Sequence, residues 1–207
     1  MNQWNDDPEI YGILVQLPLP KSLDQRCIFD TISVDKDVDG LHSYQLAALT
    51  SASNSRFSGL SIICSTGRGI LEILQFYDVK LPGKFVCMVD TSRTIGVPLS
   101  MALSTRGSII TMCTLQTTNL KAKVEATDIV VDCAIVIDAG ITVTENVNKR
   151  KMKVHGDVEQ PDLLWKRASL VTPVPGGVGP ITIAMLLQNT FDAYKFHLIQ
   201  EISKAKK

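Results

Sequence analysis

Four stretches combine residue types and spacing suited to chemistry. The first is Thr172-Pro173-Val174-Pro175-Gly176-Gly177-Val178-Gly179-Pro180. Its prolines stiffen a loop whose glycines let the backbone come close to a ligand, and it lies just ahead of a helix amino terminus, where a phosphate or a flat ring can be cradled. A rigid interdomain turn has the same composition. The second is Asp37-Val38-Asp39-Gly40, an acidic turn near where the carboxyl ends of parallel strands gather in α/β proteins. Asp39 could hold an N–H-rich heterocycle there, and an Asx turn closed by Gly40 is the alternative. The remaining ligands of a calcium loop are missing.

The third is Gln16, a polar residue inside the apolar run 10–17. Left unpaired in a core, its amide would cost roughly 1–3 kcal/mol, so it either faces a ligand or satisfies core backbone. The fourth is Val89-Asp90-Thr91-Ser92-Arg93-Thr94-Ile95-Gly96, at the strand-to-helix turn where dinucleotide folds place a glycine-rich phosphate loop. It holds a single glycine, and Asp90 would set a carboxylate beside a diphosphate. Taken by itself it reads as a turn that holds no nucleotide. His42, His155 and His197 are too far apart in sequence to suggest a base or a metal cluster. The five cysteines include no C-x-x-C pair, which argues against a structural metal or a disulfide framework and for a reducing compartment.

These residues need a scaffold, and the hydrophobic pattern supplies an α/β one. Residues 10–17 read as a strand buried on both faces and stopped by Pro18 and Pro20. Residues 22–32 read as a helix with Ser22 as N-cap. Small polar residues over 50–61 read as a linker between domains. Beyond them, helices over 69–76, 95–104 and 120–126 alternate with strands over 84–89, 108–113 and 128–131, the signature of right-handed βαβ crossovers in a parallel, doubly wound sheet. A late helix begins after Pro180 and ends in the basic tail Lys204-Ala205-Lys206-Lys207.

With 207 residues, 45% of them hydrophobic, the chain has material for one or two domains. Its 21 basic and 21 acidic side chains cancel, which leaves no broad footprint for nucleic acid or an anionic membrane. Apolar runs fall short of the ~18 residues of a membrane span, and the polar start does not read as a leader. A small-molecule partner is expected.

The stretches 7–20, 36–40, 156–158 and 172–182, in that order, resemble the signatures of the methylenetetrahydrofolate dehydrogenase/cyclohydrolases of one-carbon metabolism. The similarity runs over nearly the whole chain. It implies two α/β domains flanking a cleft: a partial folate domain over 1–60 without its first βα units, a Rossmann-type NAD(P) domain over 61–179, and a carboxyl-terminal helix over 180–207 returning to the folate domain. It also implies NAD(P)-dependent oxidation of 5,10-methylenetetrahydrofolate and hydrolysis of the methenyl product to 10-formyltetrahydrofolate. By the same resemblance Gln16, between Val15 and Leu17 on the substrate wall, orients the catalytic lysine and the folate, and Asp39 anchors the pterin. Pro175, Gly176, Gly177, Val178 and Gly179 border folate and nicotinamide. Thr66, Asp90, Thr91, Ser92, Ile141 and Thr182 fall at cofactor positions. The implied cofactor is NADP or NAD, the partners are tetrahydrofolate derivatives in a homodimer with neither nucleic acid nor membrane, and the location is cytoplasmic, or mitochondrial if an upstream segment exists.

The sequence also departs from that pattern. The family's lysine belongs to a Tyr-x-x-x-Lys motif preceding the glutamine strand, and these residues do not contain it. Asp90-Thr91-Ser92 stands where the family has Gly-Arg/Ala-Ser, Gly67 replaces a proline, and Leu115 replaces a polar cofactor contact, so recognition of a 2′-phosphate is expected to be weakened. Only Asp132 and Cys133 separate the strands 128–131 and 134–138, a link too short for a parallel crossover. The alternative to an active enzyme is a non-catalytic relative, or an incomplete chain, that keeps part of the cleft.

Overall fold

The computed structural model describes residues 1–50, 62–129, 135–146, 151–158 and 168–205. The expected linker over 50–61 lies outside the described residues except for Thr50, which is helical, and residues 130–134, Lys206 and Lys207 lie outside them too. In chain order the elements are α1 (Asn2–Asp6), α2 (Gln25–Phe29), α3 (Ser43–Thr50), α4 (Ser65–Phe76), β1 (Phe85–Met88), α5 (Gly96–Ser104), β2 (Ile109–Met112), α6 (Leu120–Glu125), β3 (Ile135–Val136), β4 (Thr142–Asn146), β5 (Lys151–His155), β6 (Leu170–Val171) and α7 (Val178–Ala205).

Residues 64–112 fold as their pattern dictates. Ile70, Ile73 and Leu74 recur at helical spacing on α4 and are all buried. They meet Val86 of β1, Leu99 and Leu103 of α5 and Val178 of α7 in one core. β1 and β2 pair in parallel, Phe85 opposite Ile109 through Met88 opposite Met112, and β3 pairs in parallel with β6. Ile129 joins the two pairs through parallel bridges to Val86 and to Ile135, giving the order β2, β1, Ile129, β3, β6. This corrects the expectation that the short link forbids parallel pairing of the 128–131 and 134–138 segments. Among the described residues the pairing consists of one bridge, with Ile135 N donating to Asp128 O at 3.3 Å, and one bridge needs far less connecting chain than a ladder. The antiparallel β4–β5 hairpin sets Thr142 opposite His155.

The amino-terminal part differs more from its sequence reading. Residues 10–17 do not form a strand, and their sheet contact is a single parallel bridge from Ile13 to Asp37. The run is apolar enough, but with one neighbouring segment it has nothing to build a ladder on. Helix α2 is capped by Asp24, whose carboxylate accepts from Arg26 N and Cys27 N, rather than by Ser22. Buried Lys36 donates from Nζ to Trp4 O, Asn5 O and Asp7 O at 3.0, 2.6 and 2.7 Å, satisfying carbonyls at the end of α1. Helix α7 starts before Pro180, which sits in its first turn where a missing N–H costs nothing.

Candidate functional site

Asp37 and Asp39 share one turn. It is closed by Gly40 at φ 65°, where an added Cβ would also meet Ile62 O at 2.6 Å, so the position demands glycine on both counts. Asp37 is 1% exposed. Its Oδ2 accepts from His42 N at 2.8 Å, while Oδ1 has no partner. Burial pushes its carboxyl up, and the neighbouring Asp39 charge adds to the shift. Asp39 accepts from Ser65 Oγ at 2.8 Å, and burial also raises its carboxyl against the pull of that bond.

A raised carboxyl binds its proton more tightly in the native than in the unfolded chain. The stability this gives is fully present below the ordinary value of 3.8 and is lost as pH rises through the folded value. Asp37→Asn removes the buried charge. It is expected to stabilise the protein at pH 7 by about 1–2 kcal/mol, with the gain shrinking as pH falls toward 3.8. Thermal melts across that range check it; a gain that ignores pH, or a loss at pH 7, contradicts it.

The chain folds this turn against the strand-to-helix turn at 90–96. Cys64, between them, feels both the Asp39 and the Asp90 charge; burial is the main reason its thiol is pushed up to about 12, which leaves it unreactive. A cavity of about 410 Å³ lies at the same junction, with Phe29, Gly40 and Leu41 on one side and Arg93 and Thr94 on the other. Within the 90–96 turn, Asp90 accepts from Ser92 N at 2.6 Å and from Ser92 Oγ at 2.9 Å. Ser92 Oγ in turn accepts from Ile95 N and Gly96 N, and Ser92 O accepts from Val97 N at 2.9 Å. The turn therefore caps the first amides of α5 internally. Gly96 allows this closure, since a Cβ there would run into Asp90 O.

A second cavity, of about 370 Å³, opens at the carboxyl ends of β1 and β3, between Val89 and Asp90 on one side and Ile137, Ala139, Gly140 and Val158 on the other. Strand carboxyl ends are where α/β sheets bind ligands. Asp138 builds this wall, and sequence reading passed over it. Its buried carboxylate accepts from Gly140 N at 3.0 Å, Asp157 N at 3.3 Å and Val158 N at 3.0 Å. Its own N–H donates to Thr172 Oγ1 at 2.8 Å, tying the wall to the start of the 172–180 loop. An aspartate at a strand end followed by Ala-Gly was the available signal. Asn189, also missed, donates from the buried face of α7 to Val38 O at 3.0 Å and Ile63 O at 3.2 Å, and its Oδ1 accepts from Arg68 Nη1 at 2.6 Å.

The expected site residues divide. Asp39 bonds Ser65, and the Asp39 and Asp90 charges both reach Cys64, with Ser92 held by Asp90. Gly69, three residues after Thr66, packs against Ile181 and Thr182, and Thr182 Oγ1 donates to Val178 O. Gln16 departs from expectation: it is exposed and its Nε2 donates to Leu17 O at 2.9 Å, so it is not a buried strand amide. Val15 and Leu17 are half-buried, Thr91 is exposed, and Ile141 is 70% exposed beside the cavity wall. Pro175, Gly176 and Gly179 are exposed, whereas Gly177 and Val178 are buried at the start of α7. Among the described residues no group of His, Cys, Asp and Glu could hold a metal ion, and no helix is long and apolar enough to cross a membrane.

The NAD(P) class of cofactor fits part of this arrangement. The apolar cavity at the strand ends suits a flat ring and its sugar, while the diphosphate end meets a carboxylate and amides already capped by Ser92.

Comparison with known proteins bears on the same residues. The profile described as tetrahydrofolate dehydrogenase/cyclohydrolase, NAD(P)-binding domain, matches residues 64–198, and that of the catalytic domain matches residues 1–39. The Bifunctional protein FolD of Nautilia profundicola is 38% identical over 207 residues, covering 92% of this chain and 68% of that protein. The Chlamydia pneumoniae protein of the same name is 38% identical over 92% of this chain and 71% of its own. The crystal structure of FolD methylenetetrahydrofolate dehydrogenase/cyclohydrolase from Campylobacter jejuni superposes with a TM-score of 0.84 at 33% identity, covering 94% of this chain and 70% of that one. The Trypanosoma brucei enzyme, complexed with NADP cofactor and inhibitor, gives 0.85 at 30% identity over 94% and 70%. With one profile spanning most of the chain and relatives of this identity aligned over two thirds of their length, the protein belongs to the tetrahydrofolate dehydrogenase/cyclohydrolase family.

Proposed function

We propose that the chain serves one-carbon interconversion on tetrahydrofolate, with NAD(P)-dependent oxidation of 5,10-methylenetetrahydrofolate to the methenyl form as its own reaction; for the family's second reaction, hydrolysis of that form to 10-formyltetrahydrofolate, the described residues supply no positioned acid–base group. The observation that carries this is the cavity at the ends of β1 and β3, walled by the Asp138 clamp, in a segment that matches the family's nucleotide domain. When bound, the nicotinamide ring supplies the hydride acceptor. The chain's own residues have separate tasks. Asp39 holds the N–H-rich edge of the pterin, Val15, Gln16 and Leu17 border the substrate, and Pro175 to Gly179 close the cleft. Thr66, Asp90, Thr91, Ser92, Ile141 and Thr182 line the cofactor path. The division into a folate part over 1–60, a nucleotide domain over 61–179 and a returning helix over 180–207 belongs to the same proposal, as do a homodimer and a cytoplasmic location.

Asp90 sets the affinity. A carboxylate beside a diphosphate is repelled at short range, so Asp90→Gly is expected to tighten NAD⁺ binding about tenfold, the equivalent of ~1.4 kcal/mol. Calorimetric titration of both proteins with NAD⁺ and NADP⁺ checks this. Tight NADP⁺ binding by the parent that the substitution leaves unchanged would contradict it, and absence of any nucleotide binding in both proteins would remove the functional reading itself. A second reading, a non-catalytic relative, is favoured by the exposed Gln16, whose Nε2 is turned to Leu17 O.

A further inference from the structure

Buried polar side chains that the proposed reaction leaves unused form one chain of bonds across three elements. Asn189 of α7 and Ser65, the first residue of α4, are each 1% exposed. Arg68, one turn further along α4, donates from Nη1 to Asn189 Oδ1 at 2.6 Å and to Asp192 Oδ2 at 2.8 Å. Asn189 Nδ2 donates to Val38 O at 3.0 Å, to Ile63 O at 3.2 Å and, at 3.5 Å, to Ser65 Oγ. Ser65 Oγ donates to Asp39 Oδ1 at 2.8 Å. Chemistry fixes the way the Asn189 amide faces. A guanidinium offers only donors, so the carbonyl end turns to Arg68 and the NH₂ end to the two backbone carbonyls.

Every bond along this chain points the same way. Arg68 donates to Asn189, Asn189 to Ser65 and Ser65 to Asp39, so a positive charge stands at one end and a carboxylate at the other. A hydroxyl has a single hydrogen; with the Asn189 N–H presented to its oxygen, Ser65 commits that hydrogen to Asp39. Donors aligned in this manner polarise one another where water is excluded. The bond to Val38 O, between Asp37 and Asp39, holds the backbone of the same turn. We infer that Asn189 is a positioning residue for Asp39: through Ser65 and Val38 O it links Arg68 to the acidic turn and fixes the carboxylate as an oriented acceptor, ready for the N–H edge of a reduced pterin. For the identity of that ligand the inference rests on the one-carbon reading, whereas the state of Asp39 is measurable without any ligand. The other ionisable groups near Asp39 are Asp37 and His42 on its own side, and Cys64 beside Ser65, whose thiol stays neutral. Asp90, before α5, also reaches Cys64, and Asp192 and Lys195 lie beyond Arg68 on α7.

Carbon-detected NMR titration of the full chain reads the Asp39 carboxyl, its signal assigned by its loss in Asp39→Asn. Asn189→Leu keeps a similar side-chain volume and removes both polar ends. Its Asp39 midpoint is expected to rise by about one pH unit, a tenfold weaker acid, because the donor chain no longer favours the anion while burial still opposes it. Loosened packing acts in the opposite direction, since water entering the turn brings the carboxyl down toward its ordinary 3.8, so the sign of the shift separates positioning from a structural role. Arg68→Met, at a half-buried position, removes the charge without touching Asn189 and is expected to move the midpoint the same way by less; it carries the test if Asn189→Leu does not fold. Titration with tetrahydrofolate at pH 7 is expected to show about tenfold weaker binding in Asn189→Leu, with NAD⁺ binding unchanged. A parent that binds no tetrahydrofolate, while its variants show the rise at Asp39, would overturn the one-carbon reading and leave the positioning role standing. A midpoint that stays in place or falls in every variant that folds, or tetrahydrofolate binding that Asn189→Leu leaves unchanged, would overturn the inference.

Discussion

Asp138→Ala is expected to lower the melting temperature by about 6–12 °C, taking ~3 kcal/mol lost and 2–4 °C per kcal/mol for a chain of this size. The reason is the number of donors that one carboxylate serves. Gly140, Asp157 and Val158 each direct an N–H at it, and alanine offers none of them an acceptor. Each deprived donor costs about 1–3 kcal/mol where water cannot replace the bond. Repacking is limited, because Gly156 and Gly140 lie so close to the Asp138 and Asp157 carboxylates that neither position has room for a Cβ. The same loss opens the wall of the 370 Å³ cavity, so NAD⁺ binding should fall with stability. Differential scanning calorimetry and nucleotide titration on one preparation check both. A melting temperature within a degree of the parent would show that the clamp is not structural.

The second large effect concerns hydrolysis. The 207-residue chain is expected to hydrolyse methenyltetrahydrofolate at the buffer rate, because positioned acid–base help is typically worth ~10²- to 10⁴-fold and among the described residues no lysine is placed to give it. Lys36, beside the acidic turn in sequence, spends its three N–H bonds on carbonyls at the end of α1. Lys21 is exposed, and Gln16 is turned to its own neighbour's carbonyl. Loss of methenyl absorbance, followed with and without the protein, reports the rate. Turnover well above buffer that Gln16→Ala abolishes would contradict the expectation and restore Gln16 to a place beside the reacting carbon.

What was legible in the sequence follows from how local its causes are. The alternation from α4 to β2 is written in Ile70, Ile73 and Leu74 at helical spacing and in short apolar strands, and both hold wherever the segment lies in space. Residues 10–17 misled because strand formation depends on partners, and one bridge from Ile13 to Asp37 is all that segment obtains. The β4–β5 hairpin went unread because its strands, Thr-Val-Thr-Glu-Asn and Lys-Met-Lys-Val-His, are too polar to stand out as strands. At the site, the Asp37–Gly40 and Asp90–Gly96 turns were visible as turns, and their mutual approach around Cys64 was not, since it depends on how α3, α4 and α5 pack. Asp138 and Asn189 stayed hidden for the same reason. Asn189 binds backbone groups far away in sequence, and although the Ala-Gly after Asp138 was a local signal, its amide partners at Asp157 and Val158 lie about twenty residues on.

Amide hydrogen exchange with and without saturating NAD⁺ tests the central claim most directly. If the cavity at the ends of β1 and β3 is the nucleotide half of the cleft, the cofactor slows exchange at residues 90–97 and at Gly140, Asp157 and Val158, the amides of the capped turn and of the Asp138 clamp, and leaves α6 unaffected. Unchanged exchange at both groups of amides, with protection elsewhere or nowhere, would contradict it.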